Sequence, residues 1–362
     1  MTQRVRMITP NEHISEIDTF RAWAILSVLF FHYLKEFMPG GGSFFRFGWT
    51  GVDLFFVISG FVLFLQVERT YRREGKTDYR RYLRNRALRI IPAYYASLFA
   101  TVLLFGRDGL FTPGLLMHLS FLHILDYGVA MSVQPLYWTL GVEAQFYLFI
   151  IFAARIFSGK RGYMSLAVIA ALSLVYRYAV SVKLGFTDTG ILLNNQLPGR
   201  FTEFSCGICM AKLSMERNPR ERLSGRIGYL APFFAAGGIL YIVLARVWLS
   251  GGDDIFNGSL LSTAFHPLLG LSFSLMMLPL MMLPEKARFM MRLKPLVFVG
   301  LISYSVYVWH MVVIMCLDRY AHLKDAAMRA DLKLLVSLVV TLGFSTLSYY
   351  LIEKTFLRLK RR

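Results

Sequence analysis

The chain has 362 residues, 56% of them hydrophobic, 15% aromatic and 17% charged, with a net charge of +18. A soluble domain of this length cannot hide that much apolar surface, so the composition excludes a soluble globule and points to an all-α, polytopic integral membrane helix bundle forming one domain over 1–362. Apolar runs of about 20 residues exclude a barrel, whose strands alternate over about ten, and charge retained on cytoplasmic loops explains the basic balance without nucleic acid.

Ten spans are expected, at 20–38, 49–67, 90–106, 136–157, 163–182, 200–213, 229–249, 262–284, 296–317 and 332–352. The polar N-terminus MTQRVRMITPNEHISEID shows no signal-peptide cleavage pattern. The first span, TFRAWAILSVLFFHYLKEF, carries Arg21 and His32. Ionisable groups inside a span cost about 2.5–3.5 kcal/mol each and mark function by default. Eleven residues are about three turns, so the two side chains share a face, ~16 Å apart along the axis. The second span carries Asp53, about as far after the turn near 40–47 as His32 lies before it. A carboxylate at that depth would orient the imidazole as a general base.

The connection 68–89 holds nine Lys/Arg against three acids and runs through RALRIIPAY into the third span, with Pro92 in its first turn. Arg86 and Arg89, three apart at a helix N-terminus, suit a phosphate. They suit a positive-inside or lipid head-group role equally well, and Arg21 could join them or snorkel. GLLMHLSFLHIL (114–125) is too short to cross and is expected at the outer interface, with His118 and His123 interfacial. Glu143 lies about six residues inside the outer end of the fourth span, and Arg200 and Glu203 open the short sixth, which could tilt or be re-entrant. Cys206 and Cys209 fall in that apolar helix as small buried groups, so no metal site is expected there. His310 lies about eight residues inside the ninth span, either in the site or as an interhelical hydrogen-bond partner. Arg155, Arg177 and Arg246 read as snorkelling near span ends, and His13, His266 and His322 carry no argument.

Alternate connections divide the Lys/Arg 27 to seven, which sets both termini in the cytoplasm. A polar layer of His32, Asp53, Glu143, Arg200, Glu203 and His310 then recurs in the outer half, above a phosphate-friendly inner mouth. That arrangement suits a phosphorylated donor from the cytosol and an acceptor hydroxyl from the other face.

Several segments resemble, in order, the signatures of the acyltransferase-3 family of bacterial membrane O-acyltransferases. Arg21, a ten-residue gap and His32 fit its first pattern, and GVDLFFVISGF (51–61) resembles the next. RALRIIPAY (86–94) fits its RxxR motif and WTLGVEAQFY (138–147) its glutamate segment. PGRFTEFSCGICMA (198–211), ISYSVYVWH (302–310) and YYLIEKTF (349–356) resemble later blocks. The resemblance implies about ten helices in the bacterial cytoplasmic membrane and an acyl-coenzyme A co-substrate, by default acetyl-coenzyme A. It implies a surface or lipid-linked carbohydrate acceptor, and functional roles for Arg21, His32, Arg86, Arg89 and Glu143. The SGNH-type domain that some members carry after the membrane part is not expected within 1–362. On this reading the arginines hold the donor phosphates, His32 takes a proton from the acceptor hydroxyl, Asp53 orients His32, and Glu143 positions the acceptor or steadies the imidazolium. Tyr304, Tyr307 or a freed backbone N–H would serve as oxyanion donor. A lipid-linked sugar flippase and a non-catalytic scaffold are the competing readings; membrane lipids are expected neighbours, and a homo-oligomer is left open.

Overall fold

The structure, a computed structural model, describes residues 15–37, 45–106, 112–215, 230–258, 260–282, 289, 291–322 and 328–361. All regular elements among them are helical. In chain order they are α1 (Ser15–Phe37), a 3-10 turn (Phe45–Thr50) leading into α2 (Gly51–Glu74), α3 (Tyr79–Phe105), the short α4 (Pro113–Leu119) and α5 (Tyr127–Ser132), and α6 (Trp138–Phe157). Then follow α7 (Arg161–Leu184), the short α8 (Asp188–Asn194), α9 (Leu197–Met215), α10 (Ala231–Gly251), α11 (Leu260–Met282), α12 (Lys294–Leu301), α13 (Ser303–Ala321), α14 (Ala330–Ser348) and α15 (Lys354–Arg358).

Among the described residues eight helices are long and apolar enough to cross a membrane, or nine if α12 and α13, bent by 71° to one another, make one span. The expected sixth span is α9, which carries Arg200, Glu203 and Lys212 and is not among the eight. The expected ninth is not continuous, because it breaks at Ile302 between α12 and α13. The basic stretch before Ser15, most of 212–228, part of 285–294 and most of the first turn lie outside the described residues.

Local sequence explains the reversal that matters most for the site. Gly75, at φ 70°, closes α2 in the left-handed region that glycine tolerates, and Asp78 caps α3 by accepting from the Arg81 amide at 2.9 Å. The arginine-rich first turns of α3 are thereby turned back towards α2, where Arg86 reaches Gln66. The most extensive helix pair is α2 with α9, where small residues let the backbones close up. A Cβ on Gly207 would sit 2.0 Å from the Val57 carbonyl oxygen, and one on Gly60 2.2 Å from that of Phe204. Gly207→Leu is therefore expected to destabilise the bundle by about 1–3 kcal/mol through overpacking. Gly343→Leu, whose new Cβ meets nothing within 4 Å, should be silent, and thermal unfolding in detergent compares the two.

Two apolar clusters result. One gathers Phe56, Phe146, Phe204 and Phe265 from α2, α6, α9 and α11; the other gathers Ile25, Tyr33, Tyr94 and Val306 from α1, α3 and α13. Val52 and Phe55 of α2 pack against both, and the site described below follows this seam.

Candidate active site

One cavity, about 80 Å³ in volume, opens along the seam. Arg21 of α1, Ser59 of α2, Arg86 and Arg89 of α3, Glu143 and Tyr147 of α6, and Tyr304 and Tyr307 of α13 line it. Arg21, Arg86 and Arg89, expected together at the inner mouth, and Glu143, expected in the outer polar layer, thus line one space built from three helices. Glu143 is held at both oxygens: Ser59 Oγ donates to Oε1 at 2.9 Å and the Tyr147 hydroxyl to Oε2 at 2.8 Å. Arg86 donates to Gln66 Oε1 and lies over the Tyr82 and Tyr147 rings, 5.5 and 6.0 Å from their centroids. Its Nε is buried without a partner. Arg89 makes no hydrogen bond or salt bridge to a described residue, so guanidinium donors remain uncommitted in this cavity, whereas Arg21 is tied to Asp18 at 3.0 Å.

The C-terminal end adds a base that sequence reasoning passed over. Beyond α14 a π turn (Tyr349–Glu353) brings buried Glu353 to Ser305 Oγ, which donates to it at 3.0 Å. Lys360 follows, and burial, then the Arg89 and Arg86 guanidinium groups, push its ammonium down to about 7 against the pull of Glu353.

Past the far end of the arginine cavity stands a row of rings. Tyr307 is 5.8 Å from His310, His310 is 5.3 Å from His32, and His32 is 4.8 Å from Phe31, centroid to centroid. His310 is fully buried, and its Nδ1 donates to the Tyr307 carbonyl at 2.8 Å, which leaves Nε2 as the bare nitrogen, buried and unpartnered. His32 is half-buried and lines neither this cavity nor the next, although Phe31 beside it lines the second. The two tyrosines are not free oxyanion donors: Tyr304 donates to the Ile90 carbonyl at 2.7 Å, and Tyr307 to that of Leu136 at 3.0 Å.

The second cavity, about 480 Å³, is walled by Trp49, Trp248, Phe186 and Phe256 and floored by Arg200 and His266. Here the expectation for Asp53 fails. Asp53 forms no bond with His32; its Oδ1 lies 2.7 Å from His266 Nδ1 and accepts from Arg200 Nη1 at 3.3 Å. Equal depth on two helices does not set the face, and Asp53 looks towards α9 and α11 while His32 looks towards α13. Arg200 and Glu203 do pair, at 3.3 Å, and Asn195 Oδ1 fixes Arg200 Nε at 3.0 Å. Asp53, Glu203 and His266 each offer one ligand atom within 4.8 Å of the others, but Arg200 Nη1 lies within 3.3 Å of all three. The guanidinium stands where a cation would, between two buried carboxylates. Val52 lines the arginine cavity while Asp53 holds the floor of the tryptophan cavity, so a single turn of α2 helps separate them. Among the described residues the two cavities share no lining residue.

A family model described as an acyltransferase domain, that of the acyltransferase-3 family, matches residues 14–353. The chain belongs to the acyltransferase-3 family. The O-acetyltransferase OatA of Staphylococcus aureus (strain NCTC 8325 / PS 47) is 24% identical over 87% of this chain and 53% of that protein. YrhL of Bacillus subtilis (strain 168), provisionally named a peptidoglycan O-acetyltransferase, is 24% identical over 95% of this chain and 55% of its own length. ORF330 of Acidianus two-tailed virus, provisionally named an acetyltransferase, is 29% identical over 82% of both chains. The chain thus spans about half the length of the two bacterial relatives. No solved structure matches it significantly.

In this acyltransferase-3 chain, four residues set aside at the sequence level prove to be buried parts of the fold. Arg177 does not snorkel: it donates to the carbonyls of Thr263, Gly199 and Ser262 at 3.1, 2.8 and 3.1 Å, clamping α7 to α9 and α11. His266 is the imidazole that meets Asp53. His118 and His123, expected at the outer interface, are fully buried within the protein and stacked, 4.4 Å apart. Buried carbonyls and ring partners are long-range contacts with no local pattern in the chain.

Proposed function

We propose that the protein is an O-acyltransferase that moves an acyl group, by default acetyl, from acyl-coenzyme A to a hydroxyl of a surface or lipid-linked carbohydrate. The observation that supports this reading is the convergence of Arg21, Arg86 and Arg89 on one cavity with guanidinium donors left over. Guanidinium groups bind phosphate by paired hydrogen bonds, and acyl-coenzyme A is a thioester with a phosphate-rich end. The family and the acetyltransferase names of the relatives agree with an ester product.

The donor phosphates lie on Arg86 and Arg89 at the cytoplasmic face, and the pantetheine arm runs past Glu143 towards Tyr307. The acceptor enters from the opposite side, through the tryptophan cavity. His32 takes the hydroxyl proton, and the oxygen attacks the thioester carbonyl. A new C–O bond forms, the C–S bond breaks, and the departing thiolate receives the proton from His32. This route requires Phe31 to turn aside, since its ring covers His32 on the tryptophan-cavity side.

Detergent-purified protein given labelled acetyl-coenzyme A and a glycan acceptor should yield label in a base-labile ester; a flippase would act only in a sealed vesicle. Arg86→Ala or Arg89→Ala should weaken coenzyme A binding by about 1.5–3 kcal/mol, roughly 10- to 100-fold, in a calorimetric titration. Lys360 gives the site a pH dependence. Its ammonium, held down to about 7, is lost as pH rises through that value, so coenzyme A binding should weaken between about pH 6 and pH 8. In Lys360→Arg, which stays charged, the weakening should disappear; the same slope in the variant would assign it to another group.

A further inference from the structure

The tryptophan cavity carries a charge pattern that the sidedness of the chain makes unusual. Lys35 and Arg46 both line it and both are exposed, and they are two of only seven Lys/Arg assigned to the outer connections. Neither has a salt bridge or hydrogen bond to a described residue. Among the described residues that line the cavity no side chain is acidic, because Asp53 and Glu203 are bonded to Arg200 behind it. The rim is therefore positive without internal compensation.

The walls add a second, independent pattern. Trp49 and Trp248 meet edge to face at 5.9 Å, and Phe186 and Phe256 stack at 5.8 Å. Flat aromatic surfaces of this kind receive the apolar face of a sugar ring. Two buried polar atoms of lining residues lack partners, the donor Trp248 Nε1 and the acceptor Asn194 Oδ1. Buried polar atoms are ordinarily satisfied, so a donor and an acceptor left over in one cavity wall mark groups that a ligand completes. A sugar hydroxyl, which both donates and accepts, can complete either atom.

We propose that the tryptophan cavity is the subsite for a pyranose unit bearing an anionic substituent. The ring lies against Trp49 and Trp248, its hydroxyls bond Trp248 Nε1 and Asn194 Oδ1, and the anionic group pairs with Lys35 and Arg46. This rests on the acyltransferase reading above and narrows its acceptor from any carbohydrate to an acidic one.

The test uses the full chain in detergent with no donor present, titrated calorimetrically with three probes: a uronic-acid disaccharide, its neutral hexose counterpart and the hexose phosphate. At low salt the uronic acid or the phosphate should bind roughly five- to thirtyfold tighter than the neutral sugar, as two exposed ion pairs allow. Whichever of the two wins identifies the anion. In Lys35→Gln/Arg46→Gln that preference should shrink to about twofold or less while neutral-sugar affinity is unchanged. Trp248→Phe should weaken all three probes alike by loss of the N–H. Should the rim variant fail to fold, raising salt towards 1 M on the wild type is the substitute, since exposed pairs are then screened over about 3 Å. Equal affinity for acidic and neutral probes, or a preference that survives both the rim variant and high salt, overturns the proposal. Because no acyl transfer is read, an intact preference in a protein that never transfers label sinks the acyltransferase reading alone.

Discussion

His32→Ala is expected to lower acyl transfer by about 10²–10⁴-fold while coenzyme A still binds the arginine cavity as in the wild type. The separation follows from placement. His32 lines neither cavity and contributes nothing to the guanidinium cluster, so its removal should leave the donor site whole. It sits at the end of the ring row that begins at Tyr307 in the donor cavity and finishes at Phe31 in the other. His310 supports it from behind, with Nδ1–H committed to the Tyr307 carbonyl and Nε2 left as a buried acceptor. Paired assays of labelled acetyl transfer and coenzyme A titration decide the matter. A folded His32→Ala protein that transfers at the wild-type rate would remove His32 as the base. The imidazole then left with a carboxylate partner is His266, 2.7 Å from Asp53 on the floor of the tryptophan cavity. Isolation of an acylated protein that turns over without acceptor would instead replace direct transfer by a two-step route.

Arg200→Met should carry the largest cost in stability of any single change in the site, about 3–5 kcal/mol. Arg200 is buried and its Nη1 bridges Asp53 and Glu203, both fully enclosed, at 3.3 Å each. Removing the guanidinium leaves two carboxylates in a low-dielectric interior with the hydrogen-bond partners His266 and Thr202 and the Arg177 guanidinium near them. The triple variant Arg200→Met/Asp53→Asn/Glu203→Gln removes the uncompensated charge and should recover most of the loss. Arg86→Met is the contrast, because Arg86 bonds only Gln66 and its charge faces an open cavity; its effect should fall on donor binding rather than on stability. Thermal unfolding of the four proteins in one detergent measures the set. A loss below about 1 kcal/mol for Arg200→Met would mean that water reaches the two carboxylates and that the network is not a stabilising element.

Much of the donor cavity was legible before the fold was known. Arg86 and Arg89 stand out only as a pair three apart at a helix N-terminus within a basic connection, whereas Arg21 and Glu143 stand out because a charge in an apolar run has a large local cost; all four line one space. His32 and His310 stand out for the same reason and do come together. The partner of Asp53 was not legible, because period and depth along a helix say nothing about which neighbour its face meets. His266 lies in an ordinary apolar run, and only the packing of α11 against α9 and α2 brings it to Asp53. Glu353 and Lys360 escaped notice because a basic C-terminal segment reads as a cytoplasmic flank until a π turn carries it back to α3.

The sequence by itself determined the helical, membrane-spanning class, the family, and the identity of the charged groups that need an internal environment, since each follows from apolar run length and from the solvation cost of single residues. Tertiary structure alone decided that those groups divide between two cavities, that Asp53 serves Arg200 and His266 rather than His32, and that Tyr304 and Tyr307 have their hydroxyl protons engaged. The physical reason is that burial cost is a property of one residue in its own segment, whereas a hydrogen bond belongs to two residues whose helices must first be packed and rotated against each other.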